Sequence, residues 1–253
     1  MDRNYLERIR NVTGNVSFYY HPQGGTVISH QPDISMTAAS LIKIPIMVEA
    51  FRRMEEGTLD PDELLPVRRE DKKPSCGVLT YLHDNVRVSM MDLVVLMIIV
   101  SDNTATNLLI DRLGIPQVNE TMRALGIPGI ALRRKLYEPL LERQGIQNTV
   151  TARGIGQLLE RIVEGTLLGP EADGKMLQIL KDQQLNGKIP FYLESMGIEV
   201  AHKTGENTGV THDAGIVLTR RPFVLCMLSS EVEVPAFERL IQDTALALAR
   251  ENM

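Results

Sequence analysis

The sequence of 253 residues contains few cysteines, no long apolar run and no excess of positive charge. Its two cysteines, Cys76 and Cys226, are too few for a disulfide framework, and we expect both to be free thiols. The longest uninterrupted apolar run, at 93–100, is far shorter than the roughly 20 residues that a membrane helix needs. A formal net charge of −5 gives no reason to expect a nucleic-acid partner.

Metal-binding and targeting patterns are also missing from the sequence. The five histidines form no His-x-His-x-Asp cluster, so a zinc hydrolase is disfavoured and we expect neither a metal nor another cofactor. The first ten residues, "MDRNYLERIR", are charged and lack the apolar core of a signal peptide. We therefore expect no membrane segment, while the compartment in which the protein works stays open.

The periodicity of apolar residues separates the two ends of the chain from its middle. Residues 15–30 alternate around a Pro-Gly turn at 22–25, and residues 213–230 form two apolar runs around a turn at 219–222, so both stretches predict hairpins. The last 20 residues and the "YLERIR" segment predict terminal helices. Helical periodicity fills the middle, where the segment at 90–100 is apolar nearly all round and predicts a buried central helix.

This order of elements predicts an α+β fold. An antiparallel sheet of about five strands is built from both chain ends and flanked by terminal helices, with an all-helical domain inserted between the ends. We expect one domain at 1–35 together with 185–253, a helical domain at 36–184, and an active site in the cleft between them.

Three short polar motifs interrupt this pattern. In "MTAASLIKIPIMVEA" (36–50), Ser40 and Lys43 lie one helical turn apart, and a lysine among isoleucines is expected to lose some of its solvation, which lowers its pKa and suits it to act as the base for a serine. "SDNTATN" (101–107) places a polar loop between two apolar segments. "HKTGE" (202–206) ends a β-branched run and predicts an edge strand. Each motif alone also fits an ordinary cap, turn or strand end.

Taken in order, the three motifs resemble a known signature. Ser-x-x-Lys, Ser-Asp-Asn and Lys-Thr-Gly mark class A serine β-lactamases and penicillin-binding proteins, and each motif here lies on the element that this superfamily requires. "DLVVLMIIVSDNTATNLLIDRLG" and "THDAGIVLTRRP" extend the resemblance, which covers the chain from about residue 5 to the C-terminal helix. The resemblance implies a DD-peptidase/β-lactamase-like α/β sandwich.

The resemblance also implies an acyl-enzyme mechanism. Ser40 is the expected nucleophile and Lys43 its base, while Ser101, beside Lys203, returns the proton to the leaving nitrogen. The N–H groups of Ser40 and Glu206 would form the oxyanion hole. The expected substrate-binding residues are Asn103 for the side-chain amide, Thr204 and Gly205 with Lys203 for the carboxylate end, Glu206, and His212, which is otherwise a partly buried strand-end histidine.

The segment expected to direct deacylation departs from the class A pattern. In "RRKLYEPLLERQGIQNTVTA", Glu138 matches the general base, with Glu142 as the reserve base, although a surface carboxylate is the other interpretation. Leu136 and Asn148 replace both partners of the family's Arg–Asp salt bridge, which indicates a shorter, differently built loop. We expect residues 133–135 to form a solvated face and Cys76 to be a packed loop thiol rather than part of the cleft mouth.

Three functions fit these residues, and the first is the one that we expect. The first is a β-lactamase that deacylates through Glu138. The second is a penicillin-binding protein or DD-peptidase with slow deacylation, and the third is a β-lactam sensor that stays acylated. The expected partner is a β-lactam or a peptidoglycan peptide, and the chain is expected to be a monomer.

Overall fold

The computed structural model describes residues 4–253, so the first three residues of the predicted segment 1–35 lie outside the described residues. Single turns of 3-10 helix occur at Ala39–Ile42, Arg69–Asp71, Leu79–Tyr81 and Glu194–Met196. In chain order the remaining elements are α1 (Asn4–Arg10), β1 (Asn15–Pro22), β2 (Ile28–His30), β3 (Met36–Thr37), α2 (Lys43–Glu55), β4 (Leu64–Val67), β5 (Val86–Ser89), α3 (Met90–Ile99), α4 (Asn103–Leu113), α5 (Ile115–Ala124), α6 (Pro139–Arg143), β6 (Thr149–Val150), α7 (Ala152–Glu164), α8 (Pro170–Lys181), β7 (Val200–Asn207), β8 (Val210–Val217), β9 (Phe223–Ser230) and α9 (Val234–Glu251).

The main sheet has five antiparallel strands in the order β2-β1-β9-β8-β7. Both predicted hairpins are confirmed, as β1–β2 and β8–β9. The two ends of the chain meet in the centre, where β1 pairs with β9 along its whole length. Strand β7, which carries "HKTGE", is an edge strand as predicted. The α+β fold with a sheet built from both chain ends is therefore confirmed.

One face of the sheet is covered by the terminal helices and the other by the helical segment. A first apolar core lies between the sheet and α1 and α9 and contains Phe18, Phe223 and Phe237. A second, larger core joins the sheet to the helical middle and is centred on α2, whose residues from Lys43 to Phe51 are all buried. The exact domain boundaries at 35 and 185 stay a prediction.

Helix α7 approaches the sheet closely because Gly156 carries no side chain. A Cβ atom at Gly156 would lie 2.6 Å from the Tyr19 ring on β1. One turn further along, the Glu160 carboxylate accepts a hydrogen bond from the Tyr19 hydroxyl at 2.7 Å and lies 2.7 Å from His21 Nδ1. These contacts fix the helical segment against the strand that the N-terminal part of the chain contributes.

Three details differ from or complete the sequence-based picture. The predicted central helix α3 contributes one fully buried side to the larger core, and Met91, Val95, Leu96 and Ile99 pack against that core with partial exposure. Both cysteines are free, as predicted, with Cys226 buried and Cys76 exposed. Within residues 4–253, no helix has the length and apolar character to cross a membrane.

A buried carboxylate organises the helical segment. Glu49 on α2 is fully buried and accepts hydrogen bonds from Arg52, Arg53 and the Thr121 hydroxyl on α5, at 2.6 to 3.1 Å. Burial alone would raise the pKa of Glu49, but these hydrogen bonds outweigh it and the pKa is lowered. The ionised form is therefore the stable one in the folded protein.

We expect Glu49→Gln to lower the free energy of unfolding by about 2 kcal/mol at pH 7, because it removes a charge that the side chains of three residues satisfy. The pKa of Glu49 is lower in the folded state, so its contribution is complete above the unfolded pKa and is lost as pH falls through the folded pKa. In urea unfolding, the difference in free energy of unfolding between the wild type and Glu49→Gln should thus be smaller at pH 3.5 than at pH 7. Glu55→Gln, on the exposed side of α2, is the control, and a gap that widens in acid would contradict the assignment.

Candidate active site

Ser40 stands at the junction of two helical forms. It lies in the 3-10 turn Ala39–Ile42, which runs directly into α2 and places Lys43 one turn further on. Ser40 is partly exposed, whereas Lys43 is completely buried beneath it. The distance from Lys43 Nζ to Ser40 Oγ is 3.0 Å. The apolar run of α2 therefore places the buried Lys43 amine directly below the accessible hydroxyl of Ser40.

The surroundings of Lys43 suit a neutral amine. Its Nζ donates to the Ser101 carbonyl at 2.8 Å and to Asn103 Oδ1 at 2.9 Å, and neither of these groups can donate in return. Once these two N–H bonds are made, the remaining neighbours are hydroxyl groups, Ser40 Oγ and Ser101 Oγ at 2.9 Å. A neutral amine can direct its lone pair at these hydroxyls and accept a proton from either of them.

Lys203 reaches the same hydroxyl from the sheet. It is completely buried on β7, and its Nζ lies 3.1 Å from Ser101 Oγ and 2.9 Å from the Thr204 carbonyl. Burial lowers the pKa of Lys203 to about 7. Burial and the nearby Lys203 charge both lower the pKa of Lys43 well below its usual value. Two lysines and one serine hydroxyl thus form a buried relay below Ser40.

The turn that holds Ser101 is built around Asp102. The Asp102 carboxylate caps α4 by accepting from Ala105 N at 2.9 Å, and it also accepts the N–H groups of Val78 and Leu79 at 2.7 and 2.9 Å. Ser101 adopts the left-handed region at φ 55°, which is unfavourable for a non-glycine residue and common at functional sites. The helix cap therefore also anchors the loop around Cys76 to the site.

Strand β7 packs tightly against the Ser40 turn. A Cβ atom at Gly205 would lie 3.1 Å from the His212 ring and 3.3 Å from the Ala39 Cβ, so a larger residue would push the strand away. Thr204 is buried next to Lys203, whereas Glu206 is exposed and lines the same cleft as Ser40. The Glu206 carboxylate lies 3.0 Å from Nζ of the buried Lys188.

His212 does not face this cleft. It is completely buried, with Nε2 2.9 Å from the Thr37 carbonyl, and Nδ1 accepts the Ser229 N–H at 3.1 Å. Burial lowers the pKa of His212 to about 4, so the ring stays neutral at physiological pH. Because both ring nitrogens bind main-chain groups, the suggested contact with a substrate carboxylate is corrected to a structural role that ties β8 to β3 and β9.

The loop between α5 and β6 is closed by asparagines. Asn148, at the position of the family's Asp, accepts the N–H groups of Arg133 and Arg134 at 2.7 and 3.1 Å and donates to the Arg134 carbonyl at 3.0 Å. Leu136, at the position of the family's Arg, is held through both its N–H and its carbonyl by the Asn107 side chain, at 2.8 and 2.9 Å. Amide hydrogen bonds to the main chain replace an ion pair.

Arg134 is the second fixed point of this loop. The prediction that residues 133–135 form a solvated face is wrong for Arg134, which is buried. Arg134 donates to Ile146 O, Lys135 O and Gln147 Oε1 at 2.8 to 2.9 Å. Its guanidinium also pairs with the Glu142 carboxylate at 2.9 Å, and Glu142 lines the cleft. Glu138 instead accepts the Lys135 N–H at 2.9 Å and is not among the residues that line the cleft.

The cleft above Ser40 has a volume of roughly 200 Å³. The prediction that Cys76 is a packed loop thiol was wrong, since Cys76 is exposed and borders the cleft. Within the described part of the chain, no three His, Cys, Asp or Glu side chains come together as metal ligands. The lining residues are Thr37, Ala39, Ser40, Ser75, Cys76, Asn103, Arg134, Leu136, Tyr137, Glu142, Gln147, Asn148, Glu206 and Asn207.

The structure thus brings together most of the predicted site residues and adds several that the sequence reasoning missed. Arg134 and Asn107 were missed because their partners, Glu142 and the Leu136 main chain, are brought near only by the folded loop. Asp102 carried a signal that could have been used, since Asp before a helical run is a favoured N-cap. Lys188 gave no signal in its local sequence.

The burial of Lys203 predicts a pH-dependent stability. Its pKa is about 7 when folded, so burying the ammonium form destabilises the protein most at pH 7 and below, and the penalty fades as pH rises towards the ordinary value of 10.5. In urea unfolding at pH 6, we expect Lys203→Met to have a higher free energy of unfolding than the wild type. The difference between the two proteins should be smaller at pH 9.5. A variant that is less stable than the wild type at pH 6 would contradict this.

Known proteins that are similar to this chain share its overall fold. The family model described as "Beta-lactamase enzyme family" matches residues 3–251. A β-lactamase structure from Sphaerobacter thermophilus is 32% identical, covers 98% of this chain and 95% of its own, and superposes with a TM-score of 0.89. An ancestral class A β-lactamase, 20% identical with a TM-score of 0.87 and covering 98% of both chains, shares the fold.

Two further proteins are also similar. A variant of PBP-A, described as an acyl-enzyme complex with penicillin G, is 28% identical with a TM-score of 0.85, and the match covers 98% of this chain and 96% of that one. A β-lactamase from Rhodobacter capsulatus is 29% identical over 165 residues, which cover 64% of this chain. The match spans 55% of the length of the Rhodobacter protein.

Proposed function

Because the chain belongs to the β-lactamase enzyme family, we propose that it is a serine hydrolase that opens β-lactams through an acyl-enzyme on Ser40. The observation that supports this most directly is the 3.0 Å contact between Ser40 Oγ and the buried Nζ of Lys43. A desolvated amine with a lowered pKa can take the hydroxyl proton and turn a weak nucleophile into a strong one.

Acylation would use the whole buried relay. Ser40 Oγ attacks the lactam carbonyl carbon while its proton passes to Lys43 Nζ. As the C–N bond breaks, Ser101 Oγ donates its proton to the lactam nitrogen and is reprotonated from Lys43, 2.9 Å away. Lys203, 3.1 Å from the same hydroxyl, would stabilise the negative charge that develops there.

Substrate binding would rely on the rest of the cleft. We assign the N–H groups of Ser40 and Glu206 to the oxyanion hole, and Asn103 to the amide of the substrate side chain. The negatively charged carboxylate of the β-lactam would lie near Thr204, Gly205 and the Lys203 ammonium. The close packing of Gly205 against Ala39 supports this assignment, because it keeps β7 next to the Ser40 turn.

Deacylation needs a carboxylate that activates water. Glu138 is the proposed base by its match to the family motif, and Glu142 is the reserve base. Glu142 lines the cleft beside Arg134, whereas Glu138 is hydrogen-bonded to the Lys135 N–H within its own loop. Substrate binding would have to break this hydrogen bond before Glu138 could act as the base.

A penicillin-binding protein with slow deacylation is the second candidate. It is favoured by one feature: within residues 4–253, the hydrogen-bond partners of Lys43 Nζ are hydroxyl, carbonyl and amide oxygens, and none is a carboxylate. Such a protein would form the same adduct with β-lactams and would take the D-Ala-D-Ala end of a peptidoglycan peptide as its natural substrate.

The first experiment follows the intact mass of the protein during incubation with excess benzylpenicillin. For a β-lactamase the mass rises by one drug molecule and returns to its starting value as penicilloate accumulates. A persistent adduct identifies the slow-deacylating alternative. Ser40→Ala should form no adduct, whereas Ser35→Ala, at an exposed serine outside the cleft lining, should behave as the wild type. An adduct on Ser40→Ala would refute the assignment of the nucleophile.

A second experiment separates the two candidate bases. Glu138→Gln and Glu142→Gln keep an oxygen that can accept from Lys135 and Arg134 but lose the basic carboxylate. We expect Glu138→Gln to acylate at the wild-type rate and to deacylate about 100-fold or more slowly. The same loss in Glu142→Gln, with Glu138→Gln unaffected, would move the role to Glu142. Glu171→Gln, on the exposed side of α8, is the control.

A further inference from the structure

Tyr137 adopts a backbone conformation that its side chain does not favour. Its φ is 58°, in the left-handed region where a bulky aromatic residue is an outlier. Such a conformation persists only when the surrounding contacts hold it, and it is concentrated at functional sites. No turn requirement explains an aromatic residue here, since glycine or asparagine would fit the same backbone better.

Contacts on both sides of Tyr137 fix this conformation. The residue before it, Leu136, is bound at its N–H and carbonyl by Asn107 of α4, at 2.8 and 2.9 Å. The residue after it, Glu138, accepts the Lys135 N–H at 2.9 Å and closes a short turn around the tyrosine. The loop is therefore attached rigidly to the helix that begins at the Ser101–Asn103 turn.

The result is a ring placed in the cleft. Tyr137 lines the cleft together with Ser40 and Asn103, and its hydroxyl lies 3.5 Å from Asn103 Nδ2. The residue remains 42% exposed, so part of its side chain is open to contact with a ligand. Arg134, Glu142, Gln147 and Asn148 make the rest of this wall polar, and Leu136 is the apolar neighbour of the ring.

We propose that Tyr137 is a specificity-determining residue whose ring packs against the side chain that a β-lactam carries on its amide, and that it favours aromatic side chains. This inference rests on the proposed function, in which Asn103 holds that amide. An aromatic group attached to an amide at Asn103 meets the Tyr137 ring first, and aromatic pairs gain binding energy beyond the area they bury. The left-handed backbone is then the cost of placing the ring there.

The test compares two penicillins with the same bicyclic nucleus. Benzylpenicillin carries a phenylacetamido side chain, and 6-aminopenicillanic acid carries a free amine instead. The readout is the ratio of their second-order rate constants for acylation of Ser40, measured by intact mass or by competition with a chromogenic cephalosporin. We expect Tyr137→Ala to lower this ratio about tenfold and Tyr137→Phe to keep the wild-type ratio, because the ring and not the hydroxyl makes the contact.

Two controls separate recognition from structure. Leu140→Ala changes a residue on the same loop that is 72% exposed and outside the cleft lining, and it should leave the ratio as in the wild type. Tyr137→Gly relieves the backbone strain, so it should lower the ratio as Tyr137→Ala does without lowering the melting temperature. Equal losses for both penicillins, or no change in the ratio, would overturn the inference.

Failure of the proposed function gives a different result. If the wild type forms no adduct with either penicillin, the acyl-enzyme assignment is wrong and the role of Tyr137 falls with it. If the wild type is acylated but shows no preference for benzylpenicillin, only the inference about Tyr137 is overturned. A slow-deacylating protein tests it equally well, because the ratio depends on acylation alone.

Discussion

Two lysine side chains, both withdrawn from water, meet at the hydroxyl of Ser101, and the chemistry proposed for this protein depends on that meeting. Lys43 comes from the helical segment and Lys203 from the edge strand of the sheet, at 2.9 and 3.1 Å from the same oxygen. Burial lowers the pKa of both amines, and the nearby Lys203 charge lowers the pKa of Lys43 further. The pair costs stability, but in the proposed mechanism it supplies a base, Lys43, and a cation, Lys203, on either side of one hydroxyl.

Keeping the two lysines together requires the sheet and the helical segment to meet with little tolerance. A Cβ atom at Gly205 would lie 3.3 Å from the Ala39 Cβ, so β7 packs tightly against the Ser40 turn at this position. On the other side, Gly77 passes so close to Asp102 that a Cβ would lie 2.3 Å from its carboxyl carbon. Close contacts at Gly205 and Gly77 thus limit the width of the site on its two sides. The large apolar cores hold the sheet and the helical segment in place.

The loop over the cleft uses a different physical principle from the relay below it. Asn107 and Asn148 bind main-chain amides and carbonyls with their side chains, and Arg134 forms an ion pair with Glu142. Amide contacts of this kind fix a backbone path without burying a net charge. That path carries Tyr137 into the cleft and leaves Glu138 bound to its own loop. In the proposed mechanism the loop therefore contributes to substrate selection through Tyr137 and to deacylation through Glu138.

The sequence by itself determined the main elements and the pairing of Ser40 with Lys43. Apolar periodicity gave the hairpins, the terminal helices and the helical middle, because burial imposes a period of 2 or 3.6 on each segment. Ser40 and Lys43 could be paired because helical spacing alone places them on one face. Only the tertiary structure decided the positions of Glu138, Glu142, Arg134, Tyr137 and His212. Their partners are distant in sequence or lie on the main chain, so nothing in their local pattern records whether a side chain points into the cleft or away from it.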